Sequence, residues 1–162
     1  MDPRRSVLDW VFEAVSAIAL LLAIGDVAIH WSTLPERIPV HFGAAGDPNG
    51  WGGKSMLLLL LAATVAMAVV LTVAESRQRL INIPMSIDRN SPEVRQLLRS
   101  MVIVMKAVMT VAFAWIVDLT MRTAVGEANG LGRAFLPAFL GGVIAPIVYY
   151  LVKLVRLSFR MK

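Results

Sequence analysis

The stretch "MLLLLLAATVAMAVVLTVA", residues 56–74, decides the fold of this chain, because it runs for nineteen residues without a charged side chain. An α-helix that crosses the hydrocarbon core of a bilayer needs about 20 mainly apolar residues. A second uncharged stretch of nineteen residues covers 134–152. Both stretches predict transmembrane helices.

Residues 7–29 and 101–121 are also long enough to span a membrane, but they contain charges. The charged residues are Asp9, Glu13 and Asp26 in the first segment and Lys106 and Asp118 in the second. The whole chain is 57% hydrophobic, with a mean hydropathy of +0.70. A soluble domain is usually about 45–50% apolar. We therefore predict an all-α integral membrane protein, a single up-down bundle of four transmembrane helices over residues 1–162. The helices are expected at about 7–30, 55–76, 92–122 and 133–157.

The basic residues indicate how this bundle is oriented. Eleven of the sixteen Lys and Arg residues fall in the N-terminus, the second loop and the C-terminus. By the positive-inside rule, both termini and loop 77–91 are expected in the cytoplasm, and residues 31–54 form an extracytoplasmic loop. The arginines of the second loop suit lipid headgroups or a cytoplasmic regulator. They are Arg77, Arg79, Arg89, Arg95 and Arg99. Topology explains the positive net charge, so the lipid bilayer is an expected partner and nucleic acid is not.

Four smaller features complete the outline. The first segment contains acidic residues and is longer than the apolar region of a signal peptide, so it is expected to stay in the mature protein. The chain has no cysteine, which excludes disulfides and thiolate metal sites. Ser91 and Pro92 are a typical N-cap and first residue of a helix. Pro137, Gly141, Gly142 and Pro146 in the fourth helix indicate either a kinked packing helix or a gating hinge.

The charges inside the predicted spans need partners, because an ionisable group at the middle of a bilayer costs about 2.5–3.5 kcal/mol on insertion scales. Helices one and three both rise from the same side. At about 1.5 Å per residue, Glu13 and Lys106 each lie about 9 Å above the start of their helix. We expect an ion pair between them, which either fixes the helix register or acts as a coupled switch.

Asp26 and Asp118 are expected near the other side of the membrane at similar depth. His30 follows Asp26 by four residues and Arg122 follows Asp118 by four, so two i,i+4 pairs are one interpretation. The alternative gathers Asp26, His30, His41 and Asp118 into one site for a cation or a proton. Within it, Asp26, His30 and His41 are a permitted ligand set for zinc or another divalent cation, although no cofactor is certain.

The loop "LPERIPVHFGAAGDPNGWGGK", residues 34–54, is the least ordinary part of the chain. Alternation of Ile38, Val40 and Phe42 with Pro39 and His41 predicts a short strand. The remainder is expected to form turns, with Asn49-Gly50 as the strongest two-residue turn signal. The loop should be an ordered cap on the helix ends.

The run L-P-x-x-I-P-x-H-F-x-x-x-G-x-P-x-G-W, from Leu34 to Trp51, closely resembles the signature of a bacterial membrane domain of unknown function. This domain occurs at the N-terminus of SdpI-type immunity proteins and in shorter relatives, and the resemblance covers residues 7–75. Relatives usually have Asn and Asp where this chain has Gly43 and Asn49, and loss of the acid disfavours metal binding by the loop itself. The chain is also shorter than full-length SdpI-type proteins.

SdpI-type proteins protect the producing cell from a secreted toxin that attacks the membrane, and they can hold a transcriptional repressor at the membrane. The resemblance therefore implies a bacterial plasma membrane protein that recognises an extracytoplasmic toxin, peptide or lipid through its first loop. The loop residues that carry over are Leu34, Pro35, Ile38, Pro39, His41, Phe42, Gly46, Pro48, Gly50 and Trp51.

Two alternatives stay open beside recognition. The first is a small ion- or proton-coupled transporter that uses Glu13, Lys106, Asp26 and Asp118 and works as a homo-oligomer, because four helices enclose little space. The second is a metal-dependent membrane enzyme that uses Asp26, His30 and His41. The sequence contains no HExxH motif, no phosphate-binding glycine loop and no GxSxG motif, so an enzyme is the least favoured of the three.

Overall fold

The computed structural model describes residues 5–77 and 91–160 and contains four helices and one β-hairpin. The elements are α1 (Val7–His30), β1 (Arg37–Phe42), β2 (Pro48–Gly53), α2 (Ser55–Ser76), α3 (Pro92–Ala124) and α4 (Phe135–Arg160). All four helices are long and apolar enough to cross a membrane. The predicted all-α bundle of four spanning helices is confirmed. Most of the predicted loop 77–91 lies outside the described residues.

The N-terminus of α1 is closed by a capping box. The Ser6 amide donates to Asp9 Oδ2 at 2.8 Å, and the Asp9 amide donates to Ser6 Oγ at 3.1 Å. These bonds satisfy backbone groups that the first helical turn leaves unpaired. The capping box therefore gives buried Asp9 a local partner, in addition to placing it in the first turn.

Helix α3 is the centre of the bundle. Half of its most apolar window is buried inside the protein, against less than a fifth of the corresponding window in each other helix. Helices α1 and α2 pack extensively on α3 but only slightly on each other, and α4 packs mainly on α3. Helix α4 is therefore peripheral, and a gap separates it from α1 along the face of α3.

The loop between α1 and α2 folds as an antiparallel hairpin, with Pro39 opposite Trp51 and His41 opposite Gly50. The predicted strand is present as β1. The prediction of a turn at Asn49-Gly50 is wrong, because both residues belong to β2 and the chain reverses between Gly43 and Asp47. Gly50 suits the strand for a steric reason, since a Cβ atom there would lie 2.9 Å from the His41 Cβ.

Two apolar side chains fix the hairpin onto the helix ends. Leu34 and Ile38 are buried in a cluster formed by α1, α2 and α3. The helix residues of this apolar cluster are Ala23, Val27, Leu57, Val117 and Met121. The expectation of an ordered cap folded onto the helix ends agrees with this packing. We call this end of the bundle the hairpin side and the opposite end the terminal side.

The tip of the hairpin rests on the connection between α3 and α4. The Gly46 carbonyl accepts a hydrogen bond of 2.8 Å from the Leu131 amide. Gly46 has a φ of +85°, and a Cβ atom there would lie 2.5 Å from the Gly132 nitrogen. Only glycine meets both conditions without strain. The hairpin is thus held at its base and at its tip.

Candidate functional site

Lys106 is the centre of a buried ion cluster near the terminal side. Its Nζ atom donates to Glu13 Oε1 at 2.7 Å, to Glu13 Oε2 at 2.9 Å and to Thr72 Oγ1 at 3.0 Å. Lys106 is only 3% exposed. The ion pair predicted from helix depth is therefore present, and it joins α1 to α3.

The cluster contains two further charges that the sequence reasoning missed. Glu75 Oε2 lies 3.4 Å from Lys106 Nζ, and Glu75 Oε1 accepts a hydrogen bond from the Arg5 guanidinium. Glu75 is 2% exposed although it lies at the end of α2. In the sequence, Glu75 directly follows the uncharged stretch 56–74, and this position was the signal that could have identified it as a charge at the end of a span. Arg5, Glu13, Glu75 and Lys106, which we call the ion cluster, balance two positive and two negative charges.

Hydroxyl groups extend the ion cluster by about one helical turn. Ser16 Oγ donates to Thr110 Oγ1 at 3.1 Å, and Thr110 Oγ1 donates to the Lys106 carbonyl at 2.7 Å. Farther toward the hairpin side lies the apolar cluster of Ala23, Val27, Leu57 and Val117. Asp26 lies between Ala23 and Val27 in α1, and Asp118 directly follows Val117 in α3, so this apolar cluster lies beside the acids near the hairpin.

Those acids line a second polar region. His30 Nδ1 lies 2.9 Å from Asp26 Oδ1, and Arg122 Nη1 lies 3.9 Å from Asp118 Oδ2, so both expected i,i+4 pairs form. Asp26, His30, Asp118 and Arg122 share the lining of a cavity of about 250 Å³ with Glu127. The structure thus brings together three of the four residues expected in an outer site.

His41, the fourth residue, is not part of the lining of that cavity. It is exposed on the hairpin, where its Nδ1 atom lies 2.5 Å from Asn49 Oδ1. In residues 5–77 and 91–160, no three His, Cys, Asp or Glu side chains form a group that could hold a metal ion. The set Asp26, His30 and His41 is accordingly not assembled as a metal site in the described part of the chain.

The hairpin residues singled out by the sequence fall into two groups. Leu34, Ile38 and Pro39 are buried, and Gly46 packs against the α3–α4 connection, so these residues hold the hairpin in place. His41 and Trp51 are exposed, and Trp51 keeps 48% of its surface accessible. The hairpin therefore presents an imidazole and an indole on a fixed backbone.

A long groove runs between α1 and α4, with α3 as its floor. Its wider part, about 910 Å³, lies toward the terminal side and includes Asp9, Ser100, Tyr149, Tyr150 and Lys153 in its lining. Its narrower part, about 290 Å³, is lined almost entirely by apolar groups, and Phe12 lines both parts. Sequence reasoning missed this groove. Its only signal was Gly142 and Pro146, which line it from within the continuous helix α4.

Comparisons with known proteins place a recognisable domain in the first half of the chain. Residues 17–71 match the family described as "Domain of unknown function (DUF1648)", which here covers most of α1, the hairpin and most of α2. A protein of Archaeoglobus fulgidus described as uncharacterized is 38% identical over 69 residues, which are 42% of this chain and 38% of that protein. The chain thus matches well under two thirds of this relative's length. No solved structure matches.

Proposed function

We propose that this chain is a recognition protein of the SdpI type, which binds an extracytoplasmic toxin, peptide or lipid through the exposed surface of its hairpin. The observation that carries the proposal is that the hairpin backbone is held in place by buried residues while other hairpin side chains are exposed. Leu34 and Ile38 anchor the base of the hairpin, while His41 and Trp51 stay open to the surroundings.

A fixed hairpin is a favourable binding surface for a thermodynamic reason. A flexible loop loses conformational entropy when it binds, and a loop already held in one conformation loses less. Tryptophan is also enriched among the residues that contribute most to binding energy. The domain match over residues 17–71 contains the whole hairpin, which supports a role for it as a unit.

The proposed setting is the bacterial plasma membrane, with both termini in the cytoplasm and the hairpin outside. The distribution of basic residues supports this orientation. A cytoplasmic regulator would then meet the arginine-rich connection between α2 and α3. Arg77 at the start of that connection, and Arg95 and Arg99 in the following helix α3, belong to the described residues.

The test is protection of living cells. A bacterium sensitive to a secreted membrane-active peptide toxin, one against which an SdpI-type protein protects, would express this chain with residues 34–54 exchanged for the loop of that protein. We expect the exchange to confer resistance, and Trp51→Ala or His41→Ala in the exchanged loop to reduce it. Arg133→Gln, an exposed residue of the α3–α4 connection outside the exchanged loop, is the control. Resistance that does not change with the loop would contradict the proposal.

Ion-coupled transport is the second candidate, favoured by the ion cluster. Charged groups inside a membrane bundle are expensive, and such groups often belong to proton or ion pathways. Glu13, Glu75 and Lys106 lie on three different helices, α1, α2 and α3, and meet between them. The test is a pH-driven flux in proteoliposomes. A flux lost in Glu75→Gln and kept in Glu36→Gln would support transport, and absence of flux from the intact protein would contradict it.

A further inference from the structure

We propose that the groove between α1 and α4 binds one anionic phospholipid, with its phosphate at Lys153 and Arg156 and one acyl chain along the apolar part. The inference rests on the shape and polarity of the groove and on cations that have no acidic partner among residues 5–77 and 91–160. It does not depend on what the hairpin recognises.

The groove has the size of a ligand site. Its two parts measure about 910 and 290 Å³ and meet at Phe12. Small-molecule sites usually measure about 300–1,000 Å³. From Lys153 to Phe139, fourteen residues of α4 extend over about 21 Å. Half of a hydrocarbon core about 30 Å thick is about 15 Å, so the groove is long enough for an acyl chain of one leaflet.

The wide part carries positive charges that lack acidic partners in the described part of the chain. Lys153, Arg156 and Arg160 lie at i, i+3 and i+7 on α4, so they share one face of the helix, and all three line the groove. Within residues 5–77 and 91–160, no carboxylate forms an ion pair with any of them. Lys153 Nζ lies over the Tyr149 ring, 4.6 Å from its centroid.

The acids in the wide part do not neutralise these cations. Asp9 accepts hydrogen bonds in the capping box of α1, and Glu93 lies in the first turn of α3, where the helix dipole stabilises a negative charge. Three cations therefore face two acids that already have favourable environments. A phosphate group would supply the missing negative charge, because Lys and Arg donate strong charge-assisted hydrogen bonds to it.

The narrow part suits a hydrocarbon chain. Its lining includes Val15, Trp115, Phe135 and Phe139. A helix from a second copy would have to bring acidic groups to Lys153 and Arg156 to satisfy the same charges. A lipid brings them in its headgroup.

The experiment is native mass spectrometry of the full chain released from nanodiscs that contain phosphatidylglycerol and phosphatidylethanolamine. We expect one retained phosphatidylglycerol molecule per chain. The double variant Lys153→Gln/Arg156→Gln should lower its occupancy at least tenfold. Ala138→Trp, which fills the narrow part without changing charge, should lower it as well. The control for charge is Arg37→Gln/Arg133→Gln, and the control for bulk is Ala62→Phe on the surface of α2.

Several results would overturn the proposal. Equal retention by all five proteins would mean that lipid adheres without using the groove. Equal retention of both lipids by the wild type would exclude recognition of an anionic headgroup. A lipid-free dimer that Ala138→Trp dissociates would assign the groove to a second copy of the chain. The two groove variants act through different chemistry, so misfolding of one leaves the other as a test.

Discussion

At the scale of single residues, the ion cluster is the feature that constrains this protein most. Each ionisable group inside a bilayer is costly, and the cost falls when opposite charges meet in hydrogen-bonding geometry. Lys106 meets Glu13 at 2.7 Å and Glu75 at 3.4 Å, and Arg5 pairs with Glu75. The cluster is neutral as a whole, so the removal of any one charged side chain leaves a net charge on the other three.

Lys106→Met should therefore destabilise the protein strongly. The substitution leaves the buried Glu75 carboxylate with Arg5 alone, and it takes from the part-buried Glu13 carboxylate the ion pair with Lys106. Removal of one member of a buried pair typically costs about 3–5 kcal/mol. The free energy of unfolding can be measured in detergent micelles by denaturant titration, with tryptophan fluorescence as the signal.

Two further variants make that measurement specific. Lys106→Met/Glu13→Gln keeps the Arg5–Glu75 pair and removes the other two charges, so it should recover most of the loss. Lys54→Met removes the partner of Glu36, which is 86% exposed, and should cost less than about 1 kcal/mol. If Lys106→Met cost no more than Lys54→Met, the cluster would contribute little to stability.

Gly46→Ala should release the tip of the hairpin. An L-residue at its φ of +85° is strained by about 1–3 kcal/mol, and the added Cβ would also collide with the backbone at Gly132. Hydrogen exchange of the Leu131 amide, which donates to the Gly46 carbonyl, should become faster. Gly25→Ala is the matched control, because a Cβ there meets nothing within 4 Å. Unchanged protection of Leu131 in Gly46→Ala would contradict the docking of the tip.

At the scale of elements, the sequence predicted one strand of the hairpin and missed the other. Apolar alternation identifies β1, but β2 has the sequence "PNGWGG", in which glycine and proline are typical of turns. The strand forms because glycines allow close approach to β1, and Asn49 contributes a side chain to His41 instead of a turn. These are tertiary contacts, which short-range turn preferences do not contain.

Ile38→Ala tests how firmly the hairpin is attached to the helices. Ile38 is 1% exposed in the apolar cluster, so truncation should lower the free energy of unfolding by about 2–5 kcal/mol. Val40→Ala, two residues along the same strand and 40% exposed, should change it by no more than about 0.5 kcal/mol. The comparison uses chemical denaturation in detergent. Equal effects of the two substitutions would mean that Ile38 is not an anchor.

At the scale of the whole molecule, hydropathy predicted the four helices because the thickness of a bilayer fixes the length of a span. It did not predict which helix is central, since that depends on side chains that fit between neighbours. Buried Ala107, Thr110 and Ala112 allow close packing on α3, whereas α4 keeps most of its apolar surface exposed. The groove follows from that asymmetry, so it could not be predicted from the helix pattern alone.

The arrangement of the whole chain predicts that the hairpin and the C-terminus lie on opposite sides of the membrane. The chain has no cysteine, so single cysteines can be introduced without background labelling. A membrane-impermeant maleimide should label Ala45→Cys, at the exposed hairpin tip, in intact cells. It should label Lys162→Cys only in inverted vesicles.

The control is Ala63→Cys, in the middle of α2. It should react from neither side, because a thiol in hydrocarbon is not ionised and the reagent does not enter the bilayer. If the maleimide labelled Ala45→Cys and Lys162→Cys from the same side, the three helices between these positions could not all cross the membrane. Labelling of Lys162→Cys in intact cells would reverse the proposed orientation.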